Sequence, residues 1–245
     1  MTIKYLKEHL LEFPEIILKK AIAIYVYGSV ARNDSDNDSD CDLLVCVDDC
    51  SEAEFLLLKS SVSSWEKNFN CEFAFYRMST LKEMQKKGSY FLWHIKQEGV
   101  LLYEQSSAFR ELLFQLPSYT GTKSDFLEYS EILDDINKSV LQDNTTIEYD
   151  LSVLAVLARN ICIGCCYLLG NMDFGRKSPV IKCINFWGAK FPFSLSEYEK
   201  LYDFRLAITR GKEINKDLVI EEYIACWLKK IHSTLSLALS LCEVI

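Results

Sequence analysis

At 245 residues with a formal net charge of −8, the chain has room for one large domain or two modest ones, and its charge balance is acidic. Proteins that grip a nucleic-acid backbone usually carry a basic patch; none is evident here, so nucleic acid is not an expected partner and a cationic small molecule or a protein fits better. Ten cysteines without an export signal point to reduced thiols, no window approaches an uninterrupted membrane span, and the cytoplasm is the expected compartment.

Met1 to Lys20 mixes charged and apolar side chains as an amphipathic helix does. Ala21 to Tyr27 (AIAIYVY) is an apolar run rich in aromatic and β-branched residues, and reads as a buried strand stopped at Gly28. Gly28 permits a close backbone approach and unusual dihedrals, and Ser29 adds a hydroxyl and an amide. A short helix from about Val30 would aim its free amides at an anion.

Asp34, Asp36, Asp38, Asp40 and Asp42 alternate like the early ligands of a calcium-binding EF-hand loop. Counted from Asp34, however, the sixth and twelfth places hold Ser39 and Val45 where that loop needs glycine and glutamate. The early aspartates read as a solvated loop. From Asp40 to Val47 the pattern becomes a strand: Cys41, Leu43, Val45 and Val47 share one face, and Asp40 and Asp42 share the other with Leu44 and Cys46. Two aspartates so placed lie about 6.5–7 Å apart at the backbone. Without a cation they repel by roughly 4 kcal/mol at an effective dielectric near 20, once their carboxylates converge to about 4 Å. A strand does not carry such a pair for stability, and the pattern points to a divalent ion.

Ser51-x-x-Glu54 has the form of a capping box and opens a helix to about Asn68. Cys71 to Tyr76 is the next strand, with Glu72, Ala74 and Tyr76 on one face. Glu72 is therefore the candidate third carboxylate, set against an ordinary solvated edge residue. Helices follow at Leu81–Lys87 and Tyr90–Glu98. The stretch Gln115 to Lys123 collects proline, serine, glycine and threonine, and divides a mixed α/β domain (1–116) from a second domain (122–245).

The second domain reads as wholly helical: Asp125–Leu141, Tyr149–Leu169, Pro179–Ala189, Leu195–Arg210 and Leu218–Leu241. Ser194-x-x-Glu197 supplies another capping box, and Gly170 and Gly211 follow two helix ends. In the last helix Ile220, Tyr223, Ile224, Trp227, Ile231, Leu235 and Ala238 form a core stripe. Cys162, Cys165 and Cys166 lie in an apolar helical run with no histidine near, and read as core packing rather than a zinc site.

The string GSVARNDSDNDSDCDLLV, which holds Gly28, Ser29, Asp40 and Asp42, resembles the nucleotidyltransferase superfamily that includes DNA polymerase β, aminoglycoside nucleotidyltransferases and the minimal nucleotidyltransferases of prokaryotes. Phe91 to Tyr103 adds a second likeness, a helix ending in Glu-Gly before a final apolar strand, so the resemblance covers roughly residues 20–105. It implies an α+β fold: an N-terminal mixed-sheet nucleotidyltransferase domain followed by a C-terminal all-α helical bundle. By the same resemblance, Gly28 and Ser29 bind the triphosphate of ATP or another NTP, and Asp40 and Asp42 hold one or two Mg²⁺ ions. Glu72 takes the place of a third carboxylate where many relatives have aspartate. Arg32 falls where relatives of the GSxAR type carry arginine, near the phosphates.

The function so implied is Mg²⁺-dependent transfer of a nucleoside monophosphate, AMP first, from an NTP to an acceptor hydroxyl with release of pyrophosphate. The acceptor is a small molecule or a protein. In the small-molecule enzymes the bundle supplies a general base, for which Glu148 and Asp150 are candidates, and Arg176, Lys177 and Lys182 could reach the triphosphate. For all five, ordinary helix-end and surface roles compete. The rival function is an antitoxin-like regulatory nucleotide-binding protein that acts on a protein partner with little or no turnover; second-messenger synthesis is a third. Acceptor identity and oligomeric state are not legible in the sequence.

Overall fold

A computed structural model of the chain describes residues 2–9, 13–35 and 39–244. Residues 10–12 of the expected N-terminal helix, and Asp36 and Asp38 of the expected solvated loop, lie outside them. The chain forms two compact units, Met1–Thr120 and Gly121–Ile245.

The first unit runs α1 (Ile3–Glu8), α2 (Glu15–Lys20), β1 (Ala21–Tyr27), α3 (Gly28–Arg32), β2 (Cys41–Val47), α4 (Glu52–Ser61), α5 (Ser63–Phe69), β3 (Cys71–Arg77), α6 (Met78–Lys86), α7 (Tyr90–Glu98), β4 (Val100–Glu104) and α8 (Ala108–Phe114). Its four strands form one sheet in the order β3-β2-β1-β4, with β2 and β3 parallel and the other pairs antiparallel. The mixed sheet expected from the sequence is therefore present.

Both faces of the sheet are covered, which explains the nearly continuous apolar strands. Leu43, Val45 and Val47 of β2 pack with Ile17, Phe55, Leu58 and Trp65 from α2, α4 and α5. Leu44 and Cys46 pack on the other side with Leu81, Leu92, Ile95 and Phe109 from α6, α7 and α8. The alternation read from the sequence thus holds, and Asp42 points to the α6–α8 side.

Three elements differ from expectation. The N-terminal segment is two helices, because Pro14, which has no amide proton to give a preceding turn, opens α2. The helix expected from Ser51 to Asn68 breaks at Val62, which is fully buried; the bend brings Phe55, Leu58 and Trp65 onto one core. The helix α8 was not anticipated, although Phe109, Leu112 and Leu113 mark its buried face at helical spacing.

The second unit is all helix: α9 (Thr122–Gln142), α10 (Ile147–Leu168), α11 (Ser178–Trp187), α12 (Leu195–Arg210) and α13 (Glu221–Val244), with short 3₁₀ turns between. Helix α10 packs against the other four. A helix enclosed by its neighbours must be apolar all round. By length and composition alone α10 could therefore cross a membrane, contrary to the expectation that no window comes close; its most apolar stretch has a mean hydropathy of 1.8, and 67% of it is buried. Cys162, Cys165 and Cys166 are part of this core, joined by Cys183 of α11. Both capping boxes form, at Ser51–Glu54 and Ser194–Glu197. The stripe on α13 holds from Tyr223 to Ala238, but Ile220 precedes the helix and is exposed.

Candidate active site

Asp40 stands immediately before β2, Asp42 one residue inside it, and Glu72 one residue inside β3. The parallel register sets Asp42 directly beside Glu72. Neighbouring strands are about 4.8 Å apart, so paired residues share a face. The outcome is one cluster: a carboxylate oxygen from each of Asp40, Asp42 and Glu72 lies within 4.8 Å of the other two. Asp40 and Asp42 are half-buried and Glu72 is exposed.

Asn70, not singled out from the sequence, ties the two strands together at this end. It closes α5 in the left-handed conformation, which asparagine tolerates better than most residues. Its carbonyl accepts from the Cys41 amide at 3.0 Å, and its side-chain amide donates to the Ser39 carbonyl at 3.3 Å. The approach to Asp40 is thereby pinned to the segment that leads into Glu72. An asparagine before a strand is a recognisable turn signal; that it would bond to a residue thirty-one positions earlier is not.

The strand β1 delivers the other side of the site. Tyr27 pairs with Asp42 across the antiparallel register, and Gly28 follows with φ of 70°. A Cβ on Gly28 would stand 2.2 Å from Asp42 Oδ2, so the bare backbone lies directly against that carboxylate. The helix α3 starts at Gly28, two residues before its expected start, and ends at Asn33 in the left-handed conformation. Burial first, and then the Asp42 and Glu72 carboxylates, push the Tyr27 phenol well above its usual range, so it stays protonated. Its ring packs edge-on against Phe91 and His94 of α7, with centroids 5.6 and 5.4 Å away.

Arg32 sits at the end of α3 with two carboxylate partners. Its Nη1 donates to Glu98 Oε2 at 2.7 Å, and its Nε to Asp34 Oδ2 at 3.0 Å. His94 Nε2 lies 3.0 Å from the same Glu98 oxygen. Burial alone would raise the Glu98 pKa; the hydrogen bonds from His94 and Arg32 outweigh it and hold the group below the ordinary carboxylate value. Gly99 follows because a Cβ there would stand 2.4 Å from the Ile95 carbonyl. The Glu-Gly pair thus has a physical reason at each position.

In the helical unit, Asp150 is buried at the start of α10 and accepts from Thr146 Oγ1 at 2.7 Å, while Glu148 pairs with Lys216. Lys177 pairs with Glu199 at 2.6 Å, Lys182 with Asp173 at 2.9 Å, and Arg176 lies over the Tyr202 ring. Each of these five residues has a partner within its own unit.

The cluster consists of hard oxygen donors, which suit Mg²⁺, Ca²⁺ or Mn²⁺ rather than soft metals. It lies beside a glycine-serine turn that ends one strand. Residues 14–108 match the family model described as "Polymerase beta, Nucleotidyltransferase". Among solved structures, the chain is similar to spectinomycin adenyltransferase AAD(9) from Enterococcus faecialis, determined with ATP and spectinomycin. The two share 13% identity with a TM-score of 0.53, and the match covers 96% of this chain and 100% of that one. At that identity the likeness concerns the fold. No curated protein matches the sequence. Across residues 14–108 the chain carries a nucleotidyltransferase domain of the polymerase β superfamily, and it is an enzyme of nucleotidyl transfer.

Proposed function

We propose that the chain transfers AMP from ATP to a hydroxyl of a small-molecule acceptor, releases pyrophosphate, and depends on Mg²⁺. The observation that carries this reading is the convergence of Asp40, Asp42 and Glu72 within 4.8 Å beside Gly28. Three carboxylates so close repel one another, by about 3–4 kcal/mol per pair at an effective dielectric near 20. A divalent ion turns that repulsion into coordination. Asp40, Asp42 and Glu72 would hold the ion, which when bound neutralises triphosphate oxygens and acidifies a nearby hydroxyl.

The chain's own residues do the rest. The bare backbone at Gly28, with the Ser29 hydroxyl and amide, leaves room for a polyphosphate to lie close, and Arg32 adds cationic charge on the same short helix. Glu72 is the exposed carboxylate, so an acceptor arriving from solvent meets it first. The acceptor oxygen attacks the α-phosphorus as its proton passes to a carboxylate. The bond from the α-phosphorus to the bridging oxygen breaks, and its electron pair leaves on pyrophosphate. The solved relative's ATP and spectinomycin support an adenylyl donor and a small-molecule acceptor. The net charge of −8 favours a cationic one.

The test is transfer from α-labelled and γ-labelled ATP to a panel of hydroxylated cationic small molecules, with Mg²⁺ present and absent. Label should reach the acceptor only from the α position and only with Mg²⁺, and Asp42→Asn should abolish it. Unchanged transfer in Asp42→Asn would reject the site. Label found on a co-purifying protein instead would replace the small-molecule acceptor with a protein one.

A further inference from the structure

Glu98 lies sixty-six positions from Arg32 in the sequence, and the proposed transfer chemistry does not call on it. It is nevertheless among the most enclosed charged groups near the site, with its side chain 10% exposed. Its Oε2 takes both the Arg32 guanidinium and the His94 imidazole. His94 in turn packs on Tyr27, the residue in register with Asp42. A half-buried carboxylate held from two directions has little freedom to swing, so whatever it binds is fixed in place.

We propose that Glu98 is a positioning residue for nucleotide binding: it anchors the Arg32 guanidinium from α7 and so sets the cationic side of the polyphosphate site. This rests on the reading of Gly28, Ser29 and Arg32 as that site. The arrangement has a diagnostic sign. A carboxylate near a bound triphosphate repels it through space, so removing the charge should tighten binding if Glu98 does nothing else. If Glu98 instead holds Arg32 in its productive place, removing the charge frees the guanidinium and binding weakens.

The experiment is calorimetric titration of the full-length protein with ATP and Mg²⁺, for wild type, Glu98→Gln, Glu98→Asp and Arg32→Gln, with the melting temperature of each recorded. Glu98→Gln keeps the side chain's volume and can still accept a hydrogen bond. It should bind ATP roughly tenfold more weakly, about 1.4 kcal/mol, at a melting temperature lower by only a few degrees. Glu98→Asp keeps the charge but draws it back by one methylene, and should also weaken binding. This second variant serves should the first fold poorly. In the Arg32→Gln background Glu98→Gln should no longer weaken binding. Unchanged or tighter binding in Glu98→Gln, or a full further loss in the Arg32→Gln background, overturns the assignment. Failure of wild type to bind ATP would instead overturn the underlying reading of the nucleotide site, and the inference with it.

Discussion

Gly28 and Asp42 are in such close approach that no side chain fits between them: a Cβ on the first would lie 2.2 Å from the carboxylate oxygen of the second. The glycine also has φ of 70°, a region other residues enter at a cost of about 1–2 kcal/mol. The clashing atom is the tip of a side chain, and Asp42 can rotate away. Gly28→Ala should therefore fold, with stability lowered by about 1–2 kcal/mol in urea unfolding. It should nonetheless lose most nucleotidyl transfer, because Asp42 no longer joins Asp40 and Glu72. Wild-type activity in a folded Gly28→Ala protein would show that the close approach is incidental.

Asp42→Asn separates the two demands on the carboxylate cluster. Removing one of three neighbouring charges relieves repulsion, so the variant should melt a few degrees above wild type without divalent ions. Wild type should then gain on addition of Mg²⁺, since a ligand that binds only the folded state stabilises it, and the variant should not. Thermal melts with and without Mg²⁺ measure both. Equal Mg²⁺ shifts for the two proteins would remove Asp42 from any metal site.

Much of this site could be read from the order of residues, and the reasons are local. Period-two alternation put Asp42 on the face shared with Leu44 and Cys46, and the structure packs those two against α6–α8. The capping boxes at Ser51 and Ser194 are contacts over three positions, and both formed. What could not be read were long-range pairings. Nothing in the sequence announces the register that sets Glu72 beside Asp42, the bond from Asn70 to Ser39, or the bond from Arg32 to Glu98. Glu98 lay inside a string recognised by resemblance, but its partner emerged only with the fold. The break at Val62 was missed for a related reason, since tertiary burial rather than propensity ends that helix.

Glu72 is the exposed member of the cluster, so its role can be tested with little cost to folding. Surface substitutions away from packed features usually change stability by no more than about 0.5 kcal/mol. Glu72→Gln should fold at least as stably as wild type, yet show a smaller Mg²⁺-induced rise in melting temperature and a loss of transfer of at least about a hundredfold, the order expected when a group that supports transition-state charge stabilisation is removed. Glu72→Asp should recover part of the activity, since it returns a carboxylate to the same face. A Glu72→Gln enzyme with normal turnover would make this residue an ordinary edge glutamate.

The helical unit offers a pH test that does not depend on the active site. Glu197 is the capping-box residue of α12, and its pKa is lowered to about 2 from the ordinary 4.5, first by the Lys230 ammonium at 2.5 Å and then by the Ser194 amide and hydroxyl. The folded state thus binds its proton less tightly than the unfolded chain does. Its contribution is complete above about pH 4.5 and is lost as the pH falls towards 2. The side chain is 46% exposed, so solvent screens much of the interaction. We expect Glu197→Gln to cost about 0.5–1 kcal/mol at pH 7. The gap to wild type should narrow as the pH drops through the same window, as urea unfolding at a series of pH values would measure. A difference that stayed constant from pH 7 to pH 2 would mean that Glu197 acts through packing rather than through its charge.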